Sequence, residues 1–128
     1  MDECLFCNKE FISKQKLFSN LFFNVCYDGF PLCPGHVLIM TKRHIKTLFN
    51  MNIIEFIFLY FTIIKTKSIL NKLHNPDGYN IGTNINKAGG QTVNHVHIHI
   101  IPRYDDDDGP KCGVRNVLPK KANYLKNI

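Results

Sequence analysis

One stretch near the end of the chain narrows what it can fold into more than any other. From Val93 to Pro102 the residues run Val-Asn-His-Val-His-Ile-His-Ile-Ile-Pro, and from His95 to Ile100 histidine and a β-branched apolar residue strictly alternate. Side chains on a strand point to opposite faces in turn. A strand over 93–102 therefore puts His95, His97 and His99 on one face, about 6.5–7 Å from one to the next. Val96, Ile98 and Ile100 then enter the core on the other face. Three imidazoles in strict alternation are more than a half-exposed strand needs. One explanation is a histidine metal site, because imidazole is the commonest metal ligand. The preceding loop, Ala88-Gly89-Gly90-Gln91-Thr92, offers another. It brings an amide, a hydroxyl and glycine backbone N–H groups beside the imidazoles, and glycine lets backbone approach an anion closely. An anion cradle next to a nucleophilic imidazole points to phosphoryl or nucleotidyl transfer.

The rest of the chain supplies the frame. Asn20–Asp28 (NLFFNVCYD) and His36–Thr41 (HVLIMT) read as strands, separated by the turn residues of Gly29–Gly35 (GFPLCPG). Asn50 or Asn52 caps a helix running to about His74, with Ile53, Phe56, Ile57, Tyr60, Phe61 and Ile64 at three- and four-residue spacing. The breadth of that face predicts packing on a sheet and on a partner subunit. Asn75-Pro76-Asp77-Gly78 ends the helix, and Tyr79–Asn84 is a third strand. Cys4–Glu10 reads as a loop. Strands, one central helix, then strands is the order of an α+β domain with an antiparallel sheet. The 128 residues fit one domain, since domains commonly hold about 100–150, so residues 1–128 are read as a single unit.

Composition narrows the function classes. The chain carries 16 Lys+Arg against 10 Asp+Glu, a formal charge of +6, which favours anionic partners. It lacks the clustered basic face of a nucleic-acid binder, so no nucleic-acid partner is expected. The acidic start Met1-Asp2-Glu3-Cys4 is no secretory n-region. The apolar stretch Ile53–Ile64 contains Glu55 and falls short of the ~20 residues a membrane span needs. These features predict a cytoplasmic protein without a membrane partner. Five cysteines, an odd number, do not form a secreted disulfide framework; in a reducing compartment they serve as metal ligands, catalytic groups or small buried hydrophobes. Cys4-Leu5-Phe6-Cys7 is half a zinc site or a redox pair. Cys26, Cys33 and Cys112 read as structural, His74 as a cation at a helix C-terminus, and Asp105–Asp108 as a solvated acidic run or a holder of Mg²⁺ brought by a polyphosphate.

Gly90-Gln91-Thr92-Val93-Asn94-His95-Val96-His97-Ile98-His99-Ile100-Ile101-Pro102-Arg103 resembles the signature of the histidine triad (HIT) family of nucleotide hydrolases and transferases. Pro34-Gly35-His36-Val37-Leu38-Ile39 resembles that family's upstream motif, and Gly113–Tyr124 the C-terminal segment of its bacterial and archaeal branch. Lys111-Cys112-Gly113 stands where the family often has Arg-Gly-Gly. The resemblance implies the HIT fold, an antiparallel sheet of about five strands with one long helix, joined across a homodimer. It implies that His97 is a nucleophile forming a covalent nucleotidyl-imidazole, that His99 contacts phosphate, and that His36 and His95 complete the triad's support. It places Asn84, Gln91 and Thr92 at phosphate oxygens and the leaving group, Asp28 at the ribose hydroxyls and Phe6 at the base. From the residues alone Asp28 is equally a turn residue before Gly29, and Phe6 plain core. The resemblance also completes a structural zinc site from Cys4, Cys7, His44 and His95.

The implied activity is hydrolysis of a dinucleoside polyphosphate, such as diadenosine tetraphosphate, or of an adenosine 5′-phosphoramidate. A nucleotide-binding sensor or adaptor with vestigial turnover is the alternative from another class. A transferase acting on a sugar phosphate fits less well, because that branch carries two repeats. A DNA-repair deadenylase wants a nucleic-acid module that this sequence does not provide.

Overall fold

The computed structural model describes residues 4–118; the tail that carries Lys120, Lys121 and the last part of the Gly113–Tyr124 resemblance lies outside them. Among the described residues the order is α1 (Lys9–Gln15), β1 (Lys16–Ser19), β2 (Phe23–Tyr27), β3 (Val37–Thr41), α2 (Ile53–His74), β4 (Gly78–Gly82) and β5 (His97–Arg103), with short 3₁₀ turns between. The strands form one antiparallel sheet in the order β1-β2-β3-β5-β4. This is the α+β architecture expected, with five strands and one long helix.

Alternation along the strands divides the apolar residues between two layers. Val25, Val37, Ile39, Ile98 and Ile100 face Leu59 and Leu70 of α2. Cys26, Leu38 and Met40 face the other way, against Phe6, Phe11 and Ile12 of the N-terminal segment. All five residues of β3 are buried, because both of its faces are covered and both of its edges are paired. His97 and His99 stand opposite Met40 and Leu38, so they belong to the N-terminal layer, away from α2.

The structure corrects several expectations. The strand expected over 93–102 begins only at His97, and His95 sits in a bend before it. The amide of Val96 donates to the Ile45 carbonyl at 2.8 Å and turns that segment toward the loop after β3. The even spacing of three histidines therefore holds for only two. Lys9–Gln15, mostly outside the expected loop, is helical: Asn8 caps it by accepting from the Phe11 amide. The four-residue β1 is too short for its alternation to have been read.

Helix α2 lies where expected. Asn52 and Glu55 form a reciprocal capping box, and Asn75 closes the helix in the left-handed conformation at φ 48°. Its orientation is not as expected. The stripe facing the sheet is Glu55, Leu59, Thr62, Thr66 and Leu70. Ile53, Phe56, Ile57, Tyr60, Phe61 and Ile64 point outward and are exposed or nearly half-exposed. The inward threonines satisfy their hydroxyls within the helix, Thr62 on the Phe58 carbonyl and Thr66 on the Thr62 carbonyl, so a polar stripe can be buried without orphan donors.

Candidate active site

The turn before β3 sets the first histidine. The amide of His36 donates to the Cys33 carbonyl at 3.2 Å, closing a four-residue turn with Pro34 and Gly35 in the middle. Gly35 has φ 89°, the left-handed value that a type II turn requires at this position. A Cβ there would also lie 2.8 Å from the ring of His74 and 3.1 Å from Pro102. This is a packing role for His74 that its place at a helix terminus did not announce.

Hydrogen bonds then assign the protons around the site. The Leu32 amide donates to Nδ1 of His36 at 3.1 Å, so in the neutral ring Nε2 carries the hydrogen. That Nε2–H is directed at Nδ1 of His99, 3.0 Å away, and at Asp28 Oδ2, 3.3 Å away. His99 accepts on Nδ1 and so carries its own hydrogen on Nε2. The third ring is fixed separately: Nδ1 of His97 donates to the His95 carbonyl at 2.9 Å, which leaves the lone pair on Nε2. No buried side-chain nitrogen lacks a partner among the described residues. The Nε2 of His97 has no hydrogen-bond partner among the described residues and so keeps some exposure of its own, although the residue as a whole is buried.

Burial holds the His36 and His99 rings neutral. It pushes His36 down and His99 down to about 4, with the neighbouring His97 and His36 rings adding to the effect at His99. Phe6 is buried and packs edge-on against His97, with ring centroids 4.9 Å apart. A cavity of about 720 Å³ opens beside the histidines, with Asp28, His36, His99 and Asn84 on its polar side and Phe30 and Val114 among its apolar walls. Asp28 serves as the turn residue, its Oδ1 accepting from the Phe30 amide, while Oδ2 lies 3.3 Å from His36 Nε2 and the side chain lines the cavity.

The loop before β5 differs from the anion cradle expected. The amides of Gly89, Gly90 and Gln91 all donate to carbonyls of the loop itself. The Gln91 side chain accepts from the Asn86 amide and donates to the Lys46 and Val93 carbonyls. These groups staple the loop, which leaves the exposed Thr92 and the cavity-lining Asn84 as its polar presentation.

Cys4, Cys7, His44 and His95 converge as the resemblance implied, their ligand atoms all within 4.8 Å of one another. His95 donates from Nε2 to the Thr41 carbonyl at 2.7 Å, so its Nδ1 lone pair faces the thiols. The Nδ1–Sγ distances are 3.4 Å to Cys4 and 3.5 Å to Cys7, and the His44 Nδ1–Cys7 Sγ distance is 3.2 Å. Zinc bonds of ~2.3 Å to sulfur and ~2.0 Å to nitrogen give tetrahedral S···N edges of about 3.5 Å. The donor set and its spacing fit Zn²⁺. Asp28, His36 and His99 also approach within 4.8 Å, but there the His36 Nε2–H between them accounts for the closeness.

Asp105–Asp108 forms no cluster of metal-binding side chains among the described residues, so the expected Mg²⁺ site gains no support. Asp107 is saturated by two bonds from Arg103, one from Lys111 and the amides of Tyr104 and Gly109, and the Arg103 guanidinium holds its carboxyl far below the usual range. Cys33 donates its thiol to the Pro102 carbonyl, and burial pushes Cys26 up to about 11; both are structural.

A HIT domain model matches residues 10–106. The chain belongs to the HIT family. It is 33% identical over 98 residues to the asymmetrical bis(5′-nucleosyl)-tetraphosphatase of Schizosaccharomyces pombe, a match covering 77% of this chain and 54% of the yeast protein. It is 40% identical over 91 residues to the bis(5′-adenosyl)-triphosphatase of Dictyostelium discoideum, covering 71% and 61%. The chain thus spans less than two thirds of the length of either relative. The crystal structure of a zinc-bound histidine triad protein from Mycobacterium smegmatis superposes with a TM-score of 0.71 at 28% identity, covering 82% of this chain and 78% of that one. As a HIT protein the chain has the expected Cys-x-x-Cys at Cys4 and Cys7.

The sequence could not reveal the groups that set the tautomers: the Leu32 amide and the Thr41 and His95 carbonyls. They are backbone atoms, whose chemistry is independent of residue type.

Proposed function

We propose that this chain is a nucleotide hydrolase that cleaves dinucleoside polyphosphates or adenosine 5′-phosphoramidates at the α-phosphorus through a covalent nucleotidyl-His97. The observation that carries this reading is the tautomer of His97. Its Nδ1–H is tied to the His95 carbonyl and its Nε2 has no hydrogen-bond partner among the described residues, and a neutral imidazole with an unpaired nitrogen is a competent nucleophile. The names of the yeast and Dictyostelium relatives support the substrate class.

In the first step Nε2 of His97 forms a bond to the α-phosphorus while the bond from phosphorus to the leaving-group atom breaks, and that atom keeps the electron pair. A polyphosphate departs as an anion; an amine takes up a proton from solvent as it leaves. His97 becomes cationic, and the His95 carbonyl stabilises the charge through Nδ1–H. The Nε2–H of His99, fixed by His36, donates to a non-bridging oxygen as negative charge builds there. Asn84 and Thr92 bind the remaining phosphate oxygens, with Gln91 holding their loop. Asp28 receives the ribose hydroxyls and Phe6 supports the base side. In the second step water attacks the phosphorus, the Nε2–P bond breaks, and AMP leaves as the water proton passes to solvent.

Cys4, Cys7, His44 and His95 hold a structural zinc in this reading, and zinc ties the N-terminal segment to the strand bearing His97. The outward apolar face of α2 supports a homodimer, since a contiguous exposed apolar patch marks an interface. The five free cysteines fit a reducing, cytoplasmic location.

The test is turnover of diadenosine tetraphosphate, diadenosine triphosphate and adenosine 5′-phosphoramidate by wild type and His97→Ala. AMP release that falls by ~10³-fold or more in the variant supports the nucleophile. Binding of AMP without turnover of any of the three would replace this reading with the sensor.

A further inference from the structure

Glu55 is a buried acid that the chemistry above does not use. Its side chain is 3% exposed, and three N–H groups satisfy it. The Asn52 amide donates to Oε1 at 3.0 Å as part of the α2 cap, Arg43 Nη2 donates to the same oxygen at 2.7 Å, and Arg43 Nε reaches Oε2 at 3.4 Å. Arg43 also donates to the Asn50 carbonyl at 3.3 Å. The guanidinium is thus clamped onto the N-terminus of α2 by a two-pronged ion pair, a geometry that fixes orientation as well as position. The hydrogen bonds from Arg43 are the largest cause holding the Glu55 carboxyl below its ordinary range.

What this clamp restrains is the segment that carries the metal ligands. Arg43 is the chain neighbour of His44. Its carbonyl accepts from the Thr41 hydroxyl at 2.6 Å, and the Thr41 carbonyl in turn accepts from Nε2 of His95 at 2.7 Å. One four-residue stretch, Thr41 to His44, therefore bears one histidine ligand and sets the tautomer and aim of the other. Thr41 at its start still pairs with Phe23 and the Lys42 amide donates to the Phe22 carbonyl at 2.8 Å; beyond that the chain bends away from β3, and the Arg43 side chain ties the bend to the N-terminus of α2.

We propose that the Glu55–Arg43 pair positions the Cys4/Cys7/His44/His95 metal centre, so that the N-terminus of α2, on the far side of the sheet from Cys4 and Cys7, sets the affinity for Zn²⁺. The inference rests on the zinc reading above. Groups that orient metal ligands from behind are commonly worth about 10–100-fold in metal affinity.

The test is competition for Zn²⁺ between the full chain and a chromophoric chelator, with thermal unfolding alongside, for wild type, Glu55→Gln, Arg43→Met and Asn52→Ala. Glu55→Gln keeps an acceptor for the Asn52 amide and removes the charge that holds Arg43. Arg43→Met leaves the helix cap untouched and carries the same test if Glu55→Gln does not fold. Asn52→Ala removes the side-chain cap on the Glu55 amide and leaves the clamp in place. The expected result is a zinc affinity weakened about 10–100-fold in Glu55→Gln and Arg43→Met, and unchanged in Asn52→Ala even where its Tm falls. A merely structural pair would lower Tm in all three and leave zinc affinity within twofold of wild type, which would overturn the proposal. A wild-type chain that takes up no Zn²⁺ overturns the zinc reading itself, and the wild-type arm alone reveals it.

Discussion

Replacing Gly35 by alanine tests the turn that delivers His36. The left-handed backbone at φ 89° costs a residue with a Cβ about 1–2 kcal/mol. The new methyl would lie 2.8 Å from Cδ2 of His74 and 3.1 Å from Cγ of Pro102, closer than packed carbons tolerate, and overpacking of this kind costs about 1–3 kcal/mol. The smaller entropy of the unfolded alanine chain offsets about 0.4–1 kcal/mol. The expected net loss is about 2–3 kcal/mol, read as a shift in the urea midpoint at constant slope. His74→Ala in the same background separates the two causes: it relieves the contact and leaves the backbone strain, so a double-mutant cycle should show a favourable coupling of about 1 kcal/mol or more. A loss below about 0.5 kcal/mol in Gly35→Ala would show that neither the turn conformation nor the His74 contact constrains this position. A full loss with no coupling to His74 would leave the strain and refute the packing half.

Three further outcomes follow from the same structure. Burial lowers the His99 pKa to about 4 in the folded chain, against about 6.5 when unfolded. The unfolded state therefore binds this proton first, so the group's share of stability is present above pH ~6.5 and is lost as the pH falls toward 4, up to about 3 kcal/mol; His99→Gln should show a correspondingly shallower loss in urea titrations over that window, and an identical slope would reject the buried neutral ring. A strong chelator should lower the Tm of wild type, because a ligand that binds only the folded state stabilises it, and should leave Cys4→Ser/Cys7→Ser unchanged; an equal effect on both would place the metal elsewhere. Wild type should sediment as the proposed homodimer in analytical ultracentrifugation and Phe61→Glu, on the outward face of α2, as a folded monomer, since Phe61 is 61% exposed in the single chain; a monomeric wild type would reject the proposed dimer, and a variant that stays dimeric would move the interface away from α2.

The site was legible in the sequence to the extent that its chemistry is local. A period of two along a strand is a property of neighbouring residues, and it put His97 and His99 on one face with Ile98 and Ile100 on the other. Pro34-Gly35 announced a turn before His36, and Asn50 or Asn52 announced the start of α2, because each device spans only a few residues. Even here the likeness to a known family did part of the work: nothing local joins Cys4 to His95, which are 91 residues apart.

The tertiary structure decided what depends on distant partners. His95 leaves the strand because the Val96 amide pairs with Ile45 and its ring bonds Thr41, so it turns to the thiols of Cys4 and Cys7 and gives only its backbone carbonyl to His97. The glycine loop spends its amides on itself. The more apolar face of α2 looks outward, because helical periodicity marks which residues share a stripe and is silent on which stripe meets the sheet. That choice belongs to the layer beneath: Asn20 reaches Thr62 at 2.8 Å, Arg43 reaches Glu55 at 2.7 Å, and threonines that close their own hydrogen bonds can be buried at little cost. The sequence by itself determined the long helix, most of the sheet and the placement of His97 and His99 on one strand face. The tautomers of His36 and His95, the convergence of Cys4, Cys7, His44 and His95 and the outward apolar surface come from contacts between segments that only folding brings together.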